Sequence, residues 1–202
     1  MARYQPHDQF YRKARARGLP SRAAFKLDEL IARFRLLRPG VRVIDLGCAP
    51  GGWLTVLAQA AGIDGWVVGV DLVNCAIAAP NVSTIIGDIH DAKVRSQVTA
   101  QLGGHADLVT CDMAPKLSGI VDRDQARSQE LLGAALGFAR SALKTDGAMV
   151  AKLFMGAGFD ELIAPFRSAF AQVDLTRTKA TRPGSSELYL IARGHRAQSS
   201  GG

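Results

Sequence analysis

Long apolar runs, cysteines and aromatic residues are all scarce in this 202-residue sequence. No stretch approaches the ~18–20 apolar residues of a membrane span, and residues 1–18 contain no apolar core of the kind that a secretory signal needs. The three cysteines, Cys48, Cys75 and Cys111, form no C-x-x-C pair or other metal-ligand spacing. We therefore expect a cytoplasmic protein with no membrane span, no disulfide framework and no metal site.

The charge is concentrated in a basic leading segment. Residues 1–40 contain ten Lys and Arg against three acidic residues, which accounts for the whole net charge of +7, and the remaining chain carries fifteen charges of each sign. A neutral domain with a basic segment predicts contact with a polyanion such as a nucleic acid. The alternative is a solvated arm that only improves solubility. The candidate nucleic-acid contacts are Arg12, Lys13, Arg15, Arg17 and Arg22.

The length fits one domain, and strand-like and helical segments alternate along it. A helix is predicted after a capping Ser21, with apolar residues at helical spacing up to Phe34 and an end at Pro39. Strands are predicted at 41–46, 66–72, 83–87, 106–111, 148–154, 173–176 and 187–192, and further helices at about 52–61, 91–102, 122–144 and 158–170. The early strands are apolar throughout, which is typical of a parallel sheet buried on both faces.

This alternation predicts a doubly wound α/β fold around a mostly parallel sheet of seven strands. A Gly- and Ser-rich turn at 182–186, with no helix, joins the last two strands, so we expect them to pair as an antiparallel hairpin at one edge. We expect residues 1–40 to form an arm and helix that face the nucleic acid, 41–194 to form the main domain, and 195–202 to be a disordered tail.

A glycine-rich turn follows the first strand, and ligands of such sheets bind at the carboxyl ends of strands. The candidate cofactor residues in this turn are Gly47, Pro50, Gly51, Gly52 and Trp53. The turn is not a G-x-G-x-x-G dinucleotide fingerprint, and no Lys-Ser/Thr follows as in a P-loop. It therefore suits a nucleoside without phosphates.

Acidic residues end the next two strands. Asp71 is placed to accept hydrogen bonds from ribose hydroxyls, and Asp88 from an adenine amino group. The alternative is that each caps a following helix. Together with the glycine turn, and with Asp45 orienting that turn, these residues predict a site for S-adenosylmethionine.

The fourth and fifth strands end in residues that suggest chemistry. Asp112 follows the fourth strand, and Lys152 lies inside an apolar strand, where a lysine is costly unless it is paired or extends to solvent. Glu187 opens the final strand, and Lys26 lies in the helix after the basic arm.

These stretches resemble the FtsJ/RrmJ family of ribose 2′-O-methyltransferases, in particular the bacterial members that act on large-subunit rRNA. The matching segments are residues 21–29, 45–53, 112–115 with 118–119, 152–154 with 158–161, and 186–189. They extend over nearly the whole chain, from about residue 10 to 194.

The resemblance implies a catalytic tetrad of Lys26, Asp112, Lys152 and Glu187. It also implies cofactor contacts from Gly51, Trp53, Asp71, Asp88 and Asp112. We expect Lys152 to act as the general base and Lys26 as the neighbouring cation that favours proton loss from Lys152 and holds the 2′-oxygen. We expect Asp112 to orient Lys152, and Glu187 to position Lys26 and the ribose. Lys116 departs from the family pattern and is either a phosphate contact or a solvated loop lysine.

The implied substrate is a uridine in the A-loop of 23S rRNA, methylated in the assembled 50S subunit, and the implied partner is that subunit rather than DNA or a membrane. Alternatives are 2′-O-methylation of a tRNA anticodon loop or an mRNA cap, and a non-catalytic ribosome-assembly factor. A nicotinamide-dependent oxidoreductase is disfavoured by the broken glycine pattern. We expect a monomer.

Overall fold

The computed structural model describes residues 21–197 except 76, 116, 117, 157 and 183. Seven strands form one sheet in the order β3-β2-β1-β4-β5-β7-β6. The strands are β1 (Arg42–Leu46), β2 (Trp66–Asp71), β3 (Val82–Ile86), β4 (Ala106–Cys111), β5 (Leu143–Phe154), β6 (Phe170–Thr176) and β7 (Glu187–His195). The helices are α1 (Arg22–Phe34), α2 (Gly52–Ala61), α3 (Ala92–Leu102), α4 (Val121–Ala142) and α5 (Phe159–Ala169). The predicted doubly wound α/β fold is confirmed.

Two apolar layers cover the two faces of the sheet. Residues of α1 and α2, among them the fully buried Leu27 and Leu57, pack on one face. Residues of α3, α4 and α5, among them Val98 and Phe166, pack on the other face. Strands β1 and β4 lie inside the sheet and have apolar side chains on both faces, as their largely apolar sequences predict.

The β7 strand runs against the direction of its neighbours. It lies between β5 and β6 and is antiparallel to both of them. The predicted hairpin of the last two strands is therefore confirmed, and its second strand takes the inner position. Because β7 runs opposite to its neighbours, its first residue lies at the edge where the parallel strands end.

Helix α1 belongs to the core of the domain. The Ser21 side chain accepts a hydrogen bond from the amide of Ala24 at 3.1 Å, which is the predicted N-cap. The predicted end at Pro39 is wrong, since the helix stops at Phe34. The Arg35 backbone turns left-handed there (φ 52°), and its amide bonds the Ile31 carbonyl. The proline then lies beyond the helix, where it interrupts nothing.

Several other boundaries differ from those predicted, among them the start of β6 at Phe170 rather than at residue 173. Strand β5 begins at Leu143, five residues before the predicted start, and its ladder with β4 shifts register between Ala106 and Leu108. Strand β7 runs on to the buried His195, past the predicted boundary at 194, and the next amide, of Arg196, bonds the Ala169 carbonyl at 2.9 Å.

None of the helices in the described ranges combines the length and apolarity of a membrane-crossing segment.

Candidate active site

The first functional pair joins two neighbouring strand ends. Lys152, near the end of β5, forms an ion pair with Asp112, the residue that follows β4, and its Nζ lies 3.4 Å from the Asp112 carbonyl oxygen. The Asp112 amide donates to the Leu46 carbonyl at 2.9 Å, which fixes the start of this loop against β1. Both side chains are largely buried, at 14% and 23% exposure. The pairing makes a lysine tolerable inside an apolar strand.

The second pair joins α1 to the start of β7. Lys26 forms an ion pair with Glu187, and these side chains are also largely buried. The Thr181 hydroxyl donates to the same Glu187 carboxylate at 3.4 Å, and the Glu187 amide donates to the Ser185 hydroxyl at 3.2 Å. The connection between β6 and β7 therefore helps to hold the carboxylate in place.

Tyr189 connects the two pairs. It lies directly opposite Lys152 in the β5–β7 ladder, and its ring centre is 5.9 Å from the Lys26 ammonium and 6.3 Å from the ring centre of Trp53. Burial raises the pKa of the Tyr189 phenol, with Glu187 and Asp112 acting in the same direction, so the hydroxyl stays protonated. Tyr189 thus forms a neutral floor beneath the two ammonium groups.

The charges of the other three tetrad residues act on Asp112. Burial raises the pKa of its carboxyl, and the adjacent Lys152 opposes that shift. Glu187 adds to the rise, and Lys26 opposes it. The fold therefore brings Lys26, Asp112, Lys152 and Glu187 into one electrostatic cluster at the carboxyl edge of the sheet.

The glycine turn between β1 and α2 is tightly packed. The amides of Gly47 and Cys48 both donate to the Val70 carbonyl, at 2.9 and 3.2 Å. A β-carbon on Gly47 would lie 2.8 Å from the Met113 amide nitrogen, so only glycine lets the turn approach the Asp112 loop. The turn includes a cis Ala49–Pro50 peptide.

The end of this turn leads directly into α2. Gly51, at φ 104°, is the N-cap residue of the helix and makes no side-chain cap. A β-carbon on Gly52 would lie 2.7 Å from the Ser21 hydroxyl, so the start of α2 is packed against the start of α1. Trp53 is buried and donates from its indole nitrogen to the Ala23 carbonyl at 3.1 Å. Trp53 thus joins the two helices beneath the site.

The alternative of a helix cap is excluded for both strand-end carboxylates. No helix lies between β2 and β3 in the described chain, and Asp71 instead accepts from the amides of Ala49 at 2.9 Å and Val73 at 3.1 Å. It therefore connects the glycine turn to the loop after β2. Helix α3 is capped by Asp91, three residues after Asp88.

Asp88 is exposed on the same edge of the sheet. Its carboxylate accepts from the His90 amide at 2.9 Å, and this hydrogen bond is the main reason that its pKa lies below the usual range. Asp88 therefore stays ionised and accessible as an acceptor.

Asp45 lies fully buried in β1 behind the turn. Its Oδ1 accepts from the Thr110 hydroxyl at 2.6 Å, while Oδ2 is buried without a hydrogen-bond partner. Burial raises the pKa of Asp45 to about 8, despite the opposing Thr110 hydrogen bond. Its described side-chain hydrogen bond is with Thr110 of β4 rather than with the turn that it was expected to orient.

The predicted nucleic-acid contacts fall into two groups. Arg12, Lys13, Arg15, Arg17 and Lys116 lie outside the described residues. Arg22 is described, and its guanidinium donates to the Ala180 carbonyl, from Nε at 2.9 Å. Arg22 therefore fastens α1 to the β6–β7 connection, together with Glu29, whose carboxylate accepts from the Lys179 amide at 3.0 and 3.1 Å.

Sequence reasoning missed Tyr189 and Thr181 as parts of this site. Tyr189 lies two residues after Glu187 in β7, so both side chains extend from the same face of the strand. The two-residue period of a strand could have indicated this from the sequence. Thr181 lies in an irregular connection, where no pattern indicates which side chains meet.

Within the described ranges, no group of three or more His, Cys, Asp or Glu residues is arranged to hold a metal ion.

Comparisons with known proteins identify the family of this chain. The family model of FtsJ-like methyltransferases matches residues 19–195. Two relatives named ribosomal RNA large subunit methyltransferase E are 44% identical (Anaeromyxobacter sp. strain Fw109-5) and 42% identical (Myxococcus xanthus). Each alignment covers 96% of this chain, with 70% and 92% of the respective relative.

Solved structures give the same answer for the fold. A ribosomal RNA methyltransferase from Plasmodium falciparum superposes with a TM-score of 0.77 at 25% identity, over 88% of this chain and 99% of that one. Aeropyrum pernix fibrillarin, solved with S-adenosyl-L-methionine, shares the fold at a TM-score of 0.56 and 16% identity, over 78% of this chain and 68% of that one. With the family model matched over most of its length, this chain belongs to the FtsJ-like methyltransferase family.

Proposed function

We propose that this chain transfers the methyl group of S-adenosylmethionine to the ribose 2′-hydroxyl of a uridine in the A-loop of 23S rRNA, in the assembled 50S subunit. The observation that carries the proposal is the convergence of two buried ion pairs, Lys152–Asp112 and Lys26–Glu187, on the floor formed by Tyr189. Membership in the FtsJ-like family supports methyl transfer. The names of the two bacterial relatives support large-subunit rRNA as the substrate.

The residues at the carboxyl edge fit S-adenosylmethionine. Gly47, Gly51 and Gly52 let this turn pack closely against Met113, Ile77 and Ser21, and Trp53 fixes the start of α2 beneath it. Asp71 can accept from the ribose hydroxyls, and the exposed Asp88 from the adenine amino group. Pro50 and Asp112 complete the set that would hold this cofactor.

Catalysis by these residues is largely positioning and proton transfer. S-adenosylmethionine supplies an electrophilic methyl group on a sulfonium. Lys26, held by Glu187, orients the ribose 2′-oxygen for in-line attack, and such positioning contributes much of the rate. Once its ammonium has released a proton, Lys152 would take the proton from the 2′-hydroxyl as the oxygen–methyl bond forms and the methyl–sulfur bond breaks, with the thioether as the leaving group. Asp112 then stabilises the resulting Lys152 ammonium.

The choice of RNA follows from the chemistry. A 2′-hydroxyl is present in RNA and absent from DNA. The basic segment at residues 12–17 would add phosphate contacts that depend strongly on salt. A loop nucleotide that can turn out of its stack would reach a site recessed between α1 and β7.

The test is transfer of labelled methyl from S-adenosylmethionine to 50S subunits that lack the modification, beside free rRNA, tRNA and capped mRNA. We expect label at the 2′-position of an A-loop uridine in subunits. Label confined to tRNA or cap would retain the chemistry and overturn the substrate. Cofactor binding with no transfer to any RNA would overturn the enzymatic proposal.

A further inference from the structure

Two large apolar side chains are exposed at the end of β5, beside the tetrad. Phe154 is 42% exposed and Met155 is 54% exposed. Phe154 follows Lys152 by two residues, so both side chains extend from the same face of the strand. The Lys152 ammonium lies 5.9 Å from the centre of the Phe154 ring. An aromatic face is thus open to solvent next to the group assigned as the base.

The β5–β7 ladder places this ring in line with the rest of the site. Phe154 lies opposite Glu187, as Lys152 lies opposite Tyr189. Directly opposed residues of an antiparallel pair share a face, so the Phe154 ring continues the Tyr189 floor outward from the two ion pairs. A nucleotide whose ribose reached Lys152 and Lys26 would have its base beyond them, where Phe154 lies.

A cation contacts the second exposed apolar residue, Met155. The Met155 amide donates to the Ser186 carbonyl at 2.9 Å, and its sulfur lies 3.7 Å from the Arg177 guanidinium. Arg177 directly follows the last residue of β6 and is exposed. An exposed aromatic ring, with a cation at the residue that follows it, matches the chemistry of a nucleotide, which joins a flat base to a phosphate.

We propose that Phe154 is the platform on which the target nucleobase stacks, with Arg177 facing the adjacent phosphate. This inference rests on the proposed function, because it takes the acceptor to be a ribose of RNA. Stacking on an aromatic ring positions any base, since every base has a π-face. The ring would therefore hold the nucleotide in place, while its context in the RNA selects which nucleotide is presented.

The experiment compares Phe154→Ala and Phe154→Trp with the wild type. The matched control is Ile63→Ala, which removes a side chain that is 77% exposed, in the loop that leads into β2 at the opposite edge of the sheet. The readouts are kcat/KM for unmodified 50S subunits, affinity for S-adenosylmethionine, and affinity for an A-loop RNA hairpin. A fourth readout is the emission of the tryptophan introduced at position 154 when that hairpin binds.

We expect Phe154→Ala to lower kcat/KM by roughly 5- to 150-fold, which corresponds to removing one stacked base, with unchanged affinity for S-adenosylmethionine. Phe154→Trp should retain activity, and RNA should quench its added emission. If the wild type transfers methyl and Phe154→Ala has the same kcat/KM as Ile63→Ala, the platform alone is overturned. It is also overturned if Phe154→Ala loses as much affinity for S-adenosylmethionine as it loses in kcat/KM. A different result would separate the two proposals. If the wild type transfers no methyl, but Phe154→Ala binds the hairpin more weakly and RNA quenches the emission of Phe154→Trp, the methylation proposal is overturned and the platform is retained.

Discussion

Lys26 and Glu187 form a largely buried ion pair although 161 positions separate them in the chain. The pair spans the contact between α1 and the first residue of β7. We expect Lys26→Met and Glu187→Gln each to lower kcat, and the double variant to lose little more than either single one, because each removes the same unit. Measured rates would give the coupling energy by a double-mutant cycle. Additive losses would show that the two side chains act separately.

Lys152 provides the sharpest test of the chemistry. Lys152→Ala should lower kcat by about 10²–10⁴-fold, the usual contribution of a general base. Lys152→Arg should fail as well, because a guanidinium does not give up its proton. Single-turnover methyl transfer measures both effects. The matched control is Lys144→Ala, at the other end of β5, where the lysine pairs with Asp107. Near-normal turnover of Lys152→Ala would refute the assignment of the base.

Asp45 should make the stability of the fold depend on pH. In the folded protein its pKa is about 8, against an ordinary value of 3.8. Between those values the unfolded chain binds fewer protons than the folded one, so the free energy of unfolding falls as the pH rises. The slope is about 1.4 kcal/mol per pH unit, and it disappears above pH 8 or so.

Asp45→Asn has no titrating carboxyl at this position, so its free energy of unfolding should lack this contribution to the pH dependence. Urea denaturation of both proteins from about pH 4.5 to 7.5 gives the comparison, since all other titrating groups cancel in the difference. The variant should gain steadily on the wild type as the pH rises. Parallel curves would mean that the buried carboxyl keeps an ordinary pKa.

Gly51 should be sensitive to a single added carbon. At φ 104° an alanine is strained, and its β-carbon would lie 3.1 Å from Ile77 and 3.2 Å from the Cys75 sulfur. Gly40→Ala separates the two effects, because that site has φ 84° and open space. Both variants should lose roughly 1–2 kcal/mol from backbone strain. Gly51→Ala should lose more, and it alone should weaken S-adenosylmethionine binding, measured by calorimetry.

Arg22 and the leading basic residues should respond differently to salt. Arg22 donates to the Ala180 carbonyl, so Arg22→Ala should lower the melting temperature and kcat with little change in the salt dependence of RNA binding. A variant with Arg12 and Lys13 changed to alanine should bind RNA more weakly. Its salt slope should be shallower by about one unit for each phosphate that it no longer neutralises. If Arg22→Ala instead makes the salt slope shallower and the Arg12 and Lys13 variant does not, Arg22 is the phosphate-binding residue.

Local sequence signals were enough for most of the fold. Apolar strands, the Ser21 cap and the helix-free turn before Glu187 are all short-range features, and each predicted the element that is present. Which strand pairs with β5 depends on contacts along the whole length of the strands. No local sequence pattern therefore encodes the inner position of β7. The end of α1 at Phe34 was missed because the left-handed stop is an arginine, a residue type that gives no such signal.

The candidate site divides in the same way. The four tetrad positions came from a resemblance and from one anomaly, a lysine in an apolar strand. That Asp71 connects the glycine turn to the loop after β2 was not predictable, because the choice between a cap and a loop contact depends on whether a helix follows. Phe154 was overlooked because an aromatic residue at a strand end is indistinguishable in sequence from one that is buried.

The inner strand β7 also determines when the site can form during synthesis of the chain. Protein synthesis begins at the amino end, so α1 and the first six strands emerge before β7, the strand that completes the site. Until residue 187 has emerged, Lys26 lacks its carboxylate and Lys152 lacks the tyrosine opposite it. The tetrad therefore stays incomplete during synthesis until β7 has emerged and paired with β5.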